Sequence, residues 1–188
     1  MSYVGELGFE LYIKMNEAKE IYNLIINTGK EFNLSNCGML AMDTMRMESG
    51  FLHWGHDISP EENQYQPGLR FAISYKKDIN FIGKEALIKI KEKNQTKKFI
   101  MLTLDKSSPG EPLLLHDEPI YLDDKIIGRT TSGNYSFNFE KNLAFGYVNL
   151  EKDLKYIIDQ NLYIEVEKKK YKATLLSKPL NTKDIKNT

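Results

Sequence analysis

The residues best equipped for chemistry gather in two places. In the run Leu52-His53-Trp54-Gly55-His56-Asp57, two imidazoles and a carboxylate crowd one short stretch. A metal needs three or four donors that converge from different directions. These share one loop with no further His close in sequence, so no metal site is expected. Either imidazole titrates near neutrality and suits general-base work, yet no nucleophile and orienting acid accompany it in the arrangement covalent catalysis requires. The ordinary reading has Trp54 anchoring the loop in a core and the imidazoles hydrogen-bonded to backbone. The second place is the opening stretch Tyr3-Val4-Gly5-Glu6-Leu7-Gly8-Phe9-Glu10, where Glu10 falls on the polar side of an alternating segment. By spacing alone Glu10 is a solvated surface acid.

Three arginines, Arg46, Arg70 and Arg129, supply the only planar forks able to grip an anion in two places. Arg46 lies one helical turn after Asp43, which favours a structural pair with that residue or with a loop carboxylate, and Glu48 is near enough to join it. Arg129 stands beside Thr130, Thr131 and Ser132. It suits either an anionic ligand or a salt bridge at a barrel turn. The methionines Met39, Met42, Met45 and Met47 read as gap-filling residues on a core-facing helix.

The elements that must hold these groups follow from periodicity. Phe9, Leu11 and Ile13 alternate with Glu10 and Tyr12, which predicts a half-buried strand. Asn16 opens an amphipathic helix with Ala18, Ile21, Tyr22, Ile25 and Phe32 inward. Ser35 or Asn36 caps a second helix, from about Gly38 to Ser49, with Gly50 as its stop. The stretch 50–68 is too rich in breakers for a regular element. Leu69 to Tyr75 is predicted as a strand, and Gly83 to Lys93 as a third helix with Ala86, Leu87 and Ile90 inward. After the polar linker Glu92-Lys93-Asn94-Gln95-Thr96, the pattern turns to short strands: 99–104, 119–122, 125–130, 144–150, 162–167 and 171–177. Many short strands joined by turns predict a small barrel or sandwich.

Composition narrows the class. The chain has 188 residues, 41% hydrophobic, enough for one sizeable core or two small ones. Lys plus Arg equals Asp plus Glu, 26 each, so no net field favours nucleic acid or an anionic membrane. Neither partner is expected. No run of about 18 apolar residues exists. A single Cys37 excludes an internal disulfide and suits a reducing, cytoplasmic compartment. Met1-Ser2 leads straight into a strand-like pattern, so the chain reads as beginning in the middle of a fold.

Taken in order, Gly5-Glu6-Leu7-Gly8-Phe9-Glu10, then Met45 to Pro60, then Phe81-Ile82-Gly83-Lys84-Glu85-Ala86-Leu87 resemble the aminomethyltransferase T-protein of the glycine cleavage system. The wording His53-Trp54-Gly55-His56-Asp57-Ile58-Ser59-Pro60 is more similar to the folate domains of dimethylglycine and sarcosine dehydrogenases. Gly128 to Gly133, with Ala144-Phe145-Gly146-Tyr147-Val148, resembles that family's C-terminal barrel. The resemblance spans essentially the whole chain.

It implies an α+β fold. Residues 1–94 would be the C-terminal segment of a folate-binding domain, 97–180 a small antiparallel β-barrel and 181–188 a flexible tail. It also implies a transferase that receives a one-carbon unit on tetrahydrofolate to form 5,10-methylenetetrahydrofolate. By the same resemblance Glu10 is the pterin-binding acid, since an ionised carboxylate accepts two parallel hydrogen bonds from an N–H and NH₂ edge. Tyr3 becomes the aromatic residue that stacks on the pterin or donates its hydroxyl, and Arg129 a candidate for folate's glutamate tail. Met42 stands where the glycine-cleavage branch carries a cofactor-binding arginine. The family's catalytic aspartate belongs to an N-terminal half not present here, so no catalytic residue is named and the chain alone is expected to be inactive. The implied partners are that missing half or a flavin domain, and a lipoyl carrier protein. The chain has no Gly-rich dinucleotide fingerprint, so FAD would bind on a separate domain. The rival expectation is a non-catalytic folate-binding or assembly module, or an inactive truncated fragment.

Overall fold

The computed structural model describes residues 2–76 and 79–181. Of the expected tail, residues 182–188 lie outside them. The second half is a closed antiparallel barrel of six strands: β1 (Lys97–Leu104), β2 (Pro119–Leu122), β3 (Lys125–Ser136), β4 (Lys141–Asn149), β5 (Leu162–Val166) and β6 (Lys169–Leu176). Their order around the barrel is β1-β4-β3-β2-β5-β6, with β6 returning to β1 through pairs such as Leu104 with Ala173. Closure leaves no free sheet edge.

Alternation decides which side chains fill it. Ile100, Leu102 and Leu104 of β1, Ile120 of β2, Ala144 and Val148 of β4, and Leu162, Ile164 and Val166 of β5 share one buried cluster with Ile157 from a single 3₁₀ turn. Burying each such aliphatic side chain contributes about 1.5–3 kcal/mol. Strand β4 is buried without interruption from Asn142 to Val148. A strand buried at every position has both faces covered. Its even residues face the barrel core. Its odd residues Leu143 and Phe145 form a second cluster with Met47, against which Leu52, Phe99 and Met101 pack. Phe99 sets its ring edge-on to Phe145 at 5.3 Å and to Tyr147 at 5.6 Å.

Met47 belongs to helix α2 (Met39–Glu48), which lies between α1 (Ala18–Gly29) and α3 (Lys84–Lys91) in the first half. The end of α2 is as the sequence predicts. Gly50 adopts φ +74, its N–H donates to the Met47 carbonyl, and the Phe51 N–H donates to the Arg46 carbonyl at 2.8 Å. This paired closure satisfies two end carbonyls at a position where only glycine is unstrained. A side chain there would also strike Pro179.

Elsewhere the first half departs from expectation. Residues 8–14 form neither strand nor helix, and Phe9 and Tyr12 are 88% and 90% exposed. The alternation is present, but a strand also needs a neighbour for its N–H and C=O groups, and the described residues supply none. Leu69–Ala72 is a 3₁₀ turn instead of a strand, entered from Gly68 in a left-handed conformation. Helix α1 starts at Ala18 without a side-chain cap and buries no residue, although Ala18, Ile21 and Ile26 are half-buried. In α3, Leu87 and Ile90 are half-buried but Ala86 is exposed. Of the four methionines only Met47 is buried; Met39 is exposed. Strand β3 runs six residues beyond the predicted Thr130, to Ser136.

Candidate functional site

Helix α2 turns charge, not only apolar side chains, toward the barrel: Thr44, Arg46, Met47 and Glu48 are its buried residues. Arg46, 1% exposed, spends its whole guanidinium on four partners. Nε donates to Asp43 Oδ1 at 2.6 Å, and Nη1 donates to Asp57 Oδ2 at 2.6 Å and to the Phe51 carbonyl at 3.1 Å. Nη2 donates to Ser132 Oγ at 2.8 Å. The guanidinium carbon also lies 5.5 Å from the centre of the Phe145 ring. A buried charge is tolerable only when paired and hydrogen-bonded; Arg46 is paired, and each of its three guanidinium nitrogens has a partner.

Asp57, also 1% exposed, is the matching hub. Its Oδ2 accepts from Arg46 and from the His53 N–H at 2.8 Å, and its Oδ1 accepts from Thr131 Oγ1 at 2.5 Å and Ser132 Oγ at 2.8 Å. In a regular strand two successive side chains point to opposite faces, so Thr131 and Ser132 could not both reach one oxygen. A bulge between Thr130 and Ser132 in the β3–β4 ladder makes it possible. Bulges re-aim side chains in this way. Tyr147 completes the hub by donating its hydroxyl to the Asp57 carbonyl at 2.9 Å. Burial, with Glu62 and Asp57 nearby, pushes the Tyr147 phenol well above its ordinary value. Glu48, two residues after Arg46, repeats the device, accepting from Ser136 Oγ at 2.6 Å and Asn138 Nδ2 at 2.7 Å.

This polar seam fixes the loop after α2, and the loop holds Tyr3. The Tyr3 hydroxyl donates to the Leu52 carbonyl at 3.1 Å, and its ring stacks with Phe51 at 6.4 Å between centres and 20° between planes. Partial burial raises its pKa, with Asp57 and Asp43 adding to the rise and Arg46 opposing it. Gly5, with φ +70, lets the strand of chain after Tyr3 pass Ser49 where any side chain would collide. The Tyr3 hydroxyl proton is therefore committed, and the residue can offer a ligand its ring or the acceptor side of its oxygen.

Glu10 is exposed and accepts one hydrogen bond, from the Tyr12 hydroxyl at 2.7 Å on Oε2. Its Oε1 has no partner among the described residues. Arg129 is exposed on β3 and pairs with Asp117 at 2.9 Å, the barrel-turn salt bridge weighed from sequence. Asp117 also meets His116 Nδ1 at 2.9 Å. His116 was missed as a neighbour of the loop histidines: its ring centre is 6.3 Å from that of His56, which is 4.6 Å from that of His53. Among the described residues no group of three or more His, Cys, Asp or Glu side chains is disposed to hold a metal ion. Trp54 is 65% exposed, not a core anchor. Asp57 holds the loop instead, and the signal for it was a lone arginine on a methionine-rich helix with an acid in the following loop. Between α2 and the β1–β2 connection lies an apolar-walled cavity of about 420 Å³, bordered by Leu40, Thr44, Met45, Leu114 and Tyr135. No described helix is long and apolar enough to cross a membrane.

Comparison with known proteins gives the same architecture. The family model of the GCVT N-terminal domain matches residues 1–77, and that of the glycine cleavage T-protein C-terminal barrel domain matches residues 97–181. Human mitochondrial dimethylglycine dehydrogenase is 35% identical over 182 residues, covering 96% of this chain and 20% of its own length. The aminomethyltransferase of Clostridium botulinum is 36% identical over 185 residues, covering 98% of this chain and 48% of its own. The crystal structure of the glycine cleavage system aminomethyltransferase T from Bartonella henselae superimposes with a TM-score of 0.80 at 22% identity, over 95% of this chain and 48% of that one. The chain thus spans about half the length of its aminomethyltransferase relatives and a fifth of the dehydrogenase. With both family models matched in sequence order and the fold of a solved aminomethyltransferase reproduced, this chain belongs to the glycine cleavage T-protein family.

Proposed function

We propose that this chain contributes the pterin-binding wall and terminal barrel of a tetrahydrofolate-dependent aminomethyl or one-carbon transferase. Residues 1–94 serve the folate domain and 97–180 form the barrel domain. The carrying observation is Glu10, an exposed carboxylate with Oε1 unengaged, in a family whose curated relatives include aminomethyltransferases and dimethylglycine dehydrogenase. The chemistry of the donor set fits a reduced pterin: Glu10 accepts from its N–H and NH₂ edge, and Tyr3, with its hydroxyl held by Leu52, offers the ring for stacking. Arg129 reaches folate's glutamate tail by sharing or releasing Asp117. Bound tetrahydrofolate supplies the nitrogen nucleophiles that take up the one-carbon unit as 5,10-methylenetetrahydrofolate. The residues of this chain bind and orient it, while the acid that guides transfer lies in the portion of the fold outside residues 1–188.

The complete protein works either with a lipoyl carrier that delivers the aminomethyl group or with a flavin domain that generates an iminium. FAD in the second case binds that separate domain. The reading includes a cytoplasmic location, which suits the free, exposed Cys37. Calorimetric titration of tetrahydrofolate into the chain and into Glu10→Ala tests the reading. Two charge-assisted hydrogen bonds are worth about 1.5–3 kcal/mol each, so the variant loses tenfold or more in affinity. Equal affinity for both, or no binding by the parent chain, removes Glu10 from the role.

A further inference from the structure

Helix α2 and the barrel domain do not meet everywhere. The apolar-walled cavity left between them measures about 420 Å³, within the roughly 300–1,000 Å³ typical of small-molecule sites. Leu40, Met45 and Glu48 border it from α2, in the first matched domain, and Leu114, Tyr135 and Phe137 border it from the second. Clefts between domains commonly hold such sites. The barrel-side wall is pre-formed. Asn142, 2% exposed, donates its Nδ2 to the Pro112 carbonyl at 2.9 Å, and its backbone N–H donates to Ser107 Oγ at 2.9 Å. A side chain at Gly133 would strike Leu114, so only glycine lets β3 and the β1–β2 connection pack this closely. The connection that carries Leu114 is thus tied to both β3 and β4.

One of the wall residues is charged. Glu48 is 2% exposed, and its two oxygens accept from Ser136 Oγ and Asn138 Nδ2, both neutral donors. Among the described residues it forms no ion pair. The only buried cation among them, Arg46, is engaged by Asp43 and Asp57. What Glu48 lacks is therefore an opposite charge, not hydrogen bonds. A buried carboxylate without one is costly, and a carboxylate offers about four lone-pair sites, so acceptor capacity remains beyond the two bonds it makes. Tyr135 and Phe137, edge to face at 5.1 Å, add ring surface suited to a cation or an aromatic body. We infer that this cavity binds a small organic cation, whose ammonium N–H donates to Glu48 while an aromatic or aliphatic body lies against the apolar wall. Glu48 repels an anion, and a neutral ligand of the same shape leaves the carboxylate unmatched. Neither Glu10 nor Tyr3 borders the cavity, so the inference stands apart from the pterin reading.

The test titrates residues 1–188 with three compounds of similar shape and different charge: phenethylammonium, phenethyl alcohol and phenylacetate. Amide shifts in heteronuclear NMR report binding and its place. The expected result is saturable binding of the cation with shifts at Leu114, Asn134 and Asn142, about tenfold tighter than the alcohol, and no binding of phenylacetate over the same concentrations. Glu48→Gln keeps the shape of the wall and lowers cation affinity about tenfold, to the level of the alcohol. Ala41→Phe, at an exposed position bordering the cavity, leaves Glu48 in place and fills the space, so it abolishes binding of cation and alcohol alike. That variant and the cation-to-alcohol ratio in the parent decide the matter if Glu48→Gln is too unstable to titrate. Glu10→Ala leaves cation affinity unchanged. Four results overturn the inference: no saturable binding of the cation, equal affinity for cation and alcohol, cation affinity unchanged in Glu48→Gln, or the same shifts persisting in Ala41→Phe.

Discussion

Replacing Asp57 by Asn tests whether the polar seam between α2 and the barrel stabilises the molecule as its geometry requires. Asp57 accepts four hydrogen bonds, from Arg46 Nη1, the His53 N–H, Thr131 and Ser132, at 2.5–2.8 Å and with 1% of its surface exposed. Asparagine keeps one oxygen for Arg46 and His53 and turns its NH₂ toward the two hydroxyls, which rotate to accept. Shape survives and the charge is lost. Removing one partner of a buried ion pair costs about 3–5 kcal/mol. Asp43 still pairs with Arg46 Nε, which puts Asp57→Asn near 3 kcal/mol, at the low end of that range. Asp57→Leu leaves four donors unsatisfied and falls near the top, about 5 kcal/mol. With a urea m-value of about 2 kcal/mol/M, the Asn variant lowers the unfolding midpoint by roughly 1.5 M, read by circular dichroism because Trp54 is already exposed. The double variant Arg46→Met with Asp57→Leu is less destabilised than the sum of its parts, since both charges leave together. An Asn variant within about 1 kcal/mol of the parent would refute the reasoning, because that is the range of an exposed pair.

Two pH effects follow from neighbouring groups. Burial works to raise the Glu62 pKa, but hydrogen bonds from Lys97 and Ser59 outweigh it and hold the carboxyl below its ordinary value. A depressed folded pKa gives stability that is full above the unfolded value of about 4.3 and lost as pH falls through the folded value. Unfolding midpoints of the parent and Glu62→Gln should therefore differ most above about pH 5 and converge on acidification; a gap that persists undiminished to pH 3 contradicts this. Tyr147 has the opposite sign. Its folded pKa is raised, so its contribution is complete below the unfolded value of about 10 and disappears as pH rises through the folded value. Tyr147→Phe flattens the alkaline limb of the stability profile and, by losing the bond to the Asp57 carbonyl, lowers stability near neutrality by about 1 kcal/mol. An unchanged alkaline limb shows that another group controls it.

The parts of the fold legible in sequence are those whose partners are near in sequence or whose burial is apolar. Strand β2 has the bounds that alternation and its Asp123-Asp124 turn predict, and Gly50 ends α2 where a helix stop was expected. Arg46 with Asp43 is one turn apart and was legible for that reason. A loop carboxylate was the other partner the sequence offered, and Asp57, 11 residues on, fills that place; Ser132, 86 residues away, was not legible. The last six residues of β3, Thr131 to Ser136, escaped notice because they are polar. Thr131, Ser132, Asn134 and Ser136 meet Asp57, Asp43 and Glu48 rather than an apolar layer, so this part of the strand carries no hydrophobic period to detect. Glu10 was legible as an exposed acid; the absence of any strand partner at 8–14 was not, because periodicity reports the face of a strand and not its neighbour.

The seam also ties the proposed pterin-binding wall to the barrel. Arg46 holds the Phe51 carbonyl, Tyr3 holds that of Leu52, and Asp57 holds the His53 N–H, so three successive residues of the loop are each fixed by a different side chain. Two of those three side chains are themselves oriented by Ser132, with Thr131 assisting at Asp57. The position of the Tyr3 ring is therefore set through α2 by a bulge on the far domain. A regular strand at Thr131 would turn one of the two hydroxyls away from Asp57 and loosen the loop beneath Tyr3. At the pterin end the barrel acts on the proposed ligand through the geometry of this loop, and the bulge joins the Glu48–Ser136 pair and the Met47–Phe145 cluster in making the two halves of the chain depend on each other.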